Sequence, residues 1–120
     1  MRLESYRDLD AWRVSMDLTR SVFALAARLP HPHRLEIGGQ MRRAALSVPS
    51  NIAEGYRQCA RRAYVRHLRI AAGSLAELET QLAIAIDMRL CSEAKGAALQ
   101  GLCSRVARML SVLIRRLAAP

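Results

Sequence analysis

The side chains in this sequence best equipped for chemistry are its arginines. There are 18 of them against one lysine, Lys95, and the formal net charge is +9. A guanidinium is planar, always charged, and pairs with phosphate through two parallel hydrogen bonds, which an ammonium cannot do. Arg42, Arg43, Arg57, Arg61, Arg62, Arg66 and Arg69 bracket one stretch of chain. Arg105, Arg108, Arg115 and Arg116 follow near the C-terminal end, where no acid appears after Glu93. Together these groups predict salt-dependent contact with the phosphate backbone of RNA or DNA. The competing expectation is ordinary surface charge, with some arginines paired to Glu54, Glu77 or Glu79. Base stacking needs exposed aromatic rings, and Tyr56 and Tyr64 fall on apolar stripes. The contact expected is therefore to backbone, without sequence readout.

The other polar groups offer less. Asn51, Glu54, Glu77 and Glu79 could pair as acid and base. No nucleophile, metal triad or histidine joins them. They are expected instead to form a structural polar network, one carboxylate paired to Arg43, that sets helix register or a subunit contact. His31 and His33 form a two-ligand pair in a loop, and His67 lies on another helix, so no metal site is expected. No catalytic residue and no cofactor is expected, and the protein is not expected to be an enzyme. Cys59, Cys91 and Cys103 are odd in number and lack C-x-x-C spacing, which suits reduced thiols in the cytosol. The first residues carry no apolar signal core, and no apolar run approaches ~18 residues, so a cytoplasmic protein without a membrane span is expected.

The elements that must carry these groups are helical. A chain of 120 residues is the usual size of one domain. Its apolar share is 52% but its aromatic share only 4%, so the core must be Ala, Leu, Ile, Val and Met. Four helices are predicted, roughly 9–29, 35–56, 61–89 and 93–118, within a single domain 1–120. Short links between them imply an all-α, antiparallel, up-down-up-down four-helix bundle. Asp8 is the candidate cap of the first helix, whose core stripe is taken as Leu9, Trp12, Met16, Phe23 and Ala26. Its second stripe, Val14, Leu18, Val22 and Leu25, is assigned to an oligomer interface. The second helix carries Ile37, Met41, Ala44, Val48, Ile52 and Tyr56 in phase through Pro49, which predicts one helix kinked at that proline. Gly55 marks its stop. The third helix shows a sustained seam, Tyr64, Leu68, Ala71, Leu75, Leu78, Leu82 and Ala85. Its opposite face begins with Arg62, Arg66 and Arg69, then turns small or apolar at Gly73, Ala76, Thr80 and Ile84, which also predicts a subunit contact. The fourth helix starts near Ser92, its N-cap candidate, with a stripe of Leu99, Leu102, Val106, Met109, Leu113 and Leu117.

The stretch Gln40-Met41-Arg42-Arg43-Ala44-Ala45-Leu46-Ser47-Val48-Pro49-Ser50-Asn51-Ile52-Ala53-Glu54-Gly55 resembles the signature of the bacterial 23S rRNA intervening-sequence proteins. Tyr6-Arg7-Asp8-Leu9-Asp10-Ala11-Trp12, Ala72 to Leu82 and Met109-Leu110 look like the same family, in the same order. The resemblance implies a four-helix bundle that assembles as a ring-like homopentamer. It also implies kinship with the basic accessory protein of diversity-generating retroelements, which engages nucleic acid and a reverse transcriptase. Most members have no established biochemical function. This chain departs from the pattern at Pro30-His31-Pro32-His33 in the first loop and at Gly38-Gly39.

Overall fold

The computed structural model describes residues 5–119. A one-turn 3-10 helix at Tyr6–Asp8 precedes α1 (Asp10–Ala27), α2 (Ile37–Arg57), α3 (Arg61–Asp87) and α4 (Glu93–Ala118). Each contact between neighbours joins the start of one helix to the end of its neighbour. A Cβ at Gly38 would meet Ala26 and Leu29, and a Cβ at Gly55 would meet Tyr64 and His67. A Cβ at Gly96 would meet Ile86, and Leu9 shares a groove with Met109 and Leu113. All four helices therefore run antiparallel to their neighbours, as a rod of 46 × 22 × 20 Å.

Several expectations need correction. Asp8 does not cap α1. It closes a capping box with Ser5 around the 3-10 turn, its carboxylate accepting from the Ser5 amide at 3.2 Å. Leu9 stands at the cap position of α1 with no side-chain bond. α1 ends at Ala27, two residues early, and α2 starts at Ile37, leaving Leu35 exposed. α3 stops at Asp87, where Met88 and a left-handed Arg89 (φ 57°) turn the chain. Gly55 does not stop α2. It lies buried inside the helix, where the absent Cβ lets α3 approach: one built there would lie 2.7 Å from the His67 Cβ.

The largest correction concerns α1. Val14, Leu18, Val22 and Leu25, assigned to an oligomer interface, are core residues no more than 7% exposed. Phe23 is exposed instead, and Trp12 and Met16 are half-buried. The interior face is completed by Ser15 and Thr19, which look polar. Their hydroxyls return to the helix itself, Ser15 to the Trp12 carbonyl at 2.8 Å and Thr19 to the Ser15 carbonyl at 2.7 Å. So satisfied, small side chains can be buried and let α2 come close.

α2 runs unbroken through Pro49. Proline has no amide hydrogen, so the carbonyl four residues back, on Ala45, loses its helical donor. Thr19 of α1 reaches it, its single hydroxyl proton shared between the Ser15 carbonyl at 2.7 Å and the Ala45 carbonyl at 3.2 Å. The α3 seam is buried from Leu68 through Leu75 and Leu78 to Leu82. In α4 the core line is Leu99, Cys103, Val106 and Leu110, while Leu102, Met109, Leu113 and Leu117 flank it half-buried. α4 is also, among the described residues, the one helix long and apolar enough to cross a membrane by length and composition alone.

Candidate nucleic-acid interface

The fold separates the arginines that the sequence groups together. Arg42 and Arg43 sit in the first half of α2, and Arg57 in its last turn. At ~1.5 Å per residue they are about 20 Å apart along the axis. Arg42 is spent locally, donating to the Arg34 carbonyl at 3.2 Å. Arg43 lines a shallow cleft with Glu77, Ser47 and Ser74, yet no described carboxylate comes within 4 Å of it. The expected Arg43 ion pair is therefore absent among the described residues.

What remains together is at the opposite end of the rod. The end of α2, the start of α3 and the end of α4 converge there, bringing Arg57, Arg61, Arg62, Arg66, Arg69, Arg115 and Arg116, all exposed. Arg61, Arg62, Arg66 and Arg69 line a groove of about 1170 Å³ whose apolar floor is Val65, Ile70 and Leu117. None of these four pairs with a described carboxylate within 4 Å. Arg108 and Arg116 line a separate groove against α1, with Asp10 on its rim. Arg105 stands on the exposed surface midway along α4.

Tyr56 and Tyr64 are half-buried as expected, packed edge to face at 5.9 Å. Burial, with Tyr56 beside it, pushes the Tyr64 phenol up to about 12. The aromatic feature that the sequence did not offer is Tyr6. It lies edge-on to Trp12, with the guanidinium groups of Arg7 and Arg57 at 5.7 and 5.9 Å from its ring centre. It adds a cation–π cluster to the basic end.

The polar network also differs from expectation. Its centre is His67, 6% exposed, on α3. The ring Nδ1 donates to Asn51 Oδ1 at 2.9 Å, and Nε2 accepts from the Gln58 amide at 3.0 Å. Asn51 in turn donates to the Ser47 carbonyl and hydroxyl, and Ser74 donates to the Ser47 hydroxyl at 2.8 Å. Glu54 reaches within 3.8 Å of the ring from solvent. Glu77 and Glu79 are not members. On α3 they point ~200° apart, Glu77 into the Arg43 cleft and Glu79 toward Cys103 of α4. Both ring nitrogens are occupied, Nε2 also lying 3.5 Å from the Arg66 guanidinium, so the histidine clamps α2 to α3. Among the described residues no group of three His, Cys, Asp or Glu could hold a metal ion.

Gly73, Ala76, Thr80 and Ile84 are exposed, and a Cβ at Gly73 would meet nothing within 4 Å.

The model of the family described as 23S rRNA-intervening sequence protein matches residues 7–112. Among solved structures the chain is similar to a protein of unknown function from the S23 ribosomal protein family of Bacteroides thetaiotaomicron VPI-5482. The TM-score is 0.82 at 18% identity, over 88% of this chain and 95% of that one. No curated protein matches the sequence.

Proposed function

Because this chain belongs to the 23S rRNA-intervening sequence protein family, whose function is open, we propose a role from the distribution of its charge. The protein is a non-enzymatic, cytoplasmic, homo-oligomeric bundle that binds nucleic acid through arginine–phosphate contacts. The observation that carries this is the groove at the start of α3, where Arg61, Arg62, Arg66 and Arg69 stand over an apolar floor without carboxylate partners. Guanidinium groups without carboxylate partners along one groove suit a phosphate backbone. The test is titration with single-stranded RNA and duplex DNA between 50 and 200 mM salt. With about four phosphates neutralised, affinity should fall roughly a hundredfold over that range. Changing Arg62, Arg66 and Arg69 together to Glu should abolish binding and leave the oligomer unchanged. Absence of binding even at the lowest salt refutes the role.

A scaffolding role is favoured by a different observation, the small and apolar outward face of α3 at Gly73, Ala76, Thr80 and Ile84. The pentamer that the resemblance implies would cover such a face. Light scattering decides this: a mass of 13.4 kDa, that of one chain, excludes the assembly. Ala76→Arg should lower the mass if that face is the contact.

A further inference from the structure

The seam between α1 and α4 holds a second cleft, near the end of the rod opposite the arginine groove. It encloses about 570 Å³, within the ~300–1,000 Å³ typical of small-molecule sites. Leu25, Leu90, Leu99 and Leu102 give it an apolar floor. Arg28, just past the end of α1, and Lys95, in the first turn of α4, both line it. Neither cation pairs with a described carboxylate within 4 Å. An inorganic anion would satisfy the two cations and leave the leucines wet. A purely apolar molecule would cover the leucines and leave the cations without a partner. Only a ligand with both parts matches the lining.

From this complementarity we propose that the α1–α4 cleft binds a small anionic amphiphile, of which a medium-chain carboxylate is the simplest member. The apolar body lies along the leucines, and the carboxylate takes charge-assisted hydrogen bonds from Arg28 and Lys95. This site shares no residue with the arginine groove, so it stands whether or not the protein binds nucleic acid.

The cleft carries its own reporter. Cys91 is part of the lining and half-buried, and burial raises its thiol above the usual range. Cys59 is exposed at the far end of the rod and serves as an internal reference. The experiment is iodoacetamide labelling of the full-length protein at mildly alkaline pH, with the labelled peptides quantified by mass. The probes are decanoate below its micelle concentration and decyltrimethylammonium, of the same chain length and opposite charge. At about ten times its Kd, decanoate should slow labelling of Cys91 roughly tenfold and leave Cys59 unchanged. The ammonium should protect neither. Charge reversal at Arg28→Glu and Lys95→Glu should keep the helical circular dichroism and abolish the protection. The proposal is overturned if decanoate fails to protect Cys91, if it protects Cys59 equally, or if the ammonium protects as well. It is also overturned if Cys91 of the ligand-free protein gains labelling on dilution while Cys59 does not, since a second copy of the chain would then fill the cleft. The two unsubstituted-protein arms decide the matter even if the charge-reversed protein does not fold.

Discussion

The carbonyl of Ala45 depends for its hydrogen bond on a residue of another helix, and that dependence can be measured. Ala45 is fully buried and Thr19 is 7% exposed. Thr19→Val keeps the side-chain shape and removes the hydroxyl that lies 3.2 Å from the Ala45 oxygen. With Pro49 in place that oxygen then has no helical donor, and an unsatisfied buried carbonyl costs about 1–3 kcal/mol. In a Pro49→Ala background the new amide at 49 donates to Ala45 along the helix. Thr19→Val should then cost about 0.5 kcal/mol or less, its remaining loss being the local bond to Ser15. The two changes should therefore be coupled by about 1 kcal/mol or more, or about 3–5 °C in Tm for a domain of this size. Urea unfolding of the four proteins, at one protein concentration so that assembly is held constant, gives the cycle. An equal cost of Thr19→Val in both backgrounds would refute the reasoning, because the proline would then not be what makes the threonine necessary.

Two further perturbations follow from the packing. Gly55→Ala should destabilise by about 1–3 kcal/mol, since its Cβ would come 2.7 Å from His67 and 3.1 Å from Tyr64. Gly39→Ala, whose Cβ would meet nothing nearer than a flexible Arg42 guanidinium at 4.0 Å, should stabilise by up to about 1 kcal/mol, and the same sign for both would sink the account. Alkaline pH should also weaken the fold. Burial, aided by Glu79, pushes the Cys103 thiol from 9.0 up to about 12, and Tyr64 rises from 10.0 to about 12. Above pH 9 the unfolded chain has released protons that the folded chain keeps, so stability falls as pH rises toward 12. Cys103→Ala should flatten the early part of that fall in urea midpoints, and an unchanged slope would assign the loss elsewhere.

What the sequence disclosed depended on whether a residue's role is local. The α3 seam was legible because leucines and alanines recur at helical spacing, and their burial needs only a partner face. On α1 the expected core stripe holds at Leu9 and Ala26 but not at Phe23, and Val14, Leu18, Val22 and Leu25 turn inward, because Ser15 and Thr19 beside them count as polar until their hydroxyls are seen bonding their own backbone. The α4 core line lies one row from the leucine stripe because Cys103, fully buried, packs there as a small apolar side chain. The role of His67 is hidden in the sequence because its partners, Asn51 and Gln58, are sixteen and nine residues away on or beyond another helix. Their meeting is set by the alignment of α2 on α3, which no spacing reveals. The arginines were grouped by nearness in sequence, and the length of α2 then carried Arg42 and Arg43 to the other half of the rod.

The α1–α4 seam has a consequence for how the molecule comes apart. α2 and α3 are joined by three residues and riveted by the His67 chain of hydrogen bonds. α4 commits only Gly96, Leu99, Cys103, Val106 and Leu110 fully to the interior, and its neighbour α1 lies at the far end of the sequence. Closing that seam requires the longest loop in the chain, so it is expected to be the first to open. Backbone amides of α4 should exchange with solvent through a partial opening in which the α2–α3 hairpin stays shut. Proteolysis would then begin in α4, trimming the chain from its C-terminal side while the hairpin persists.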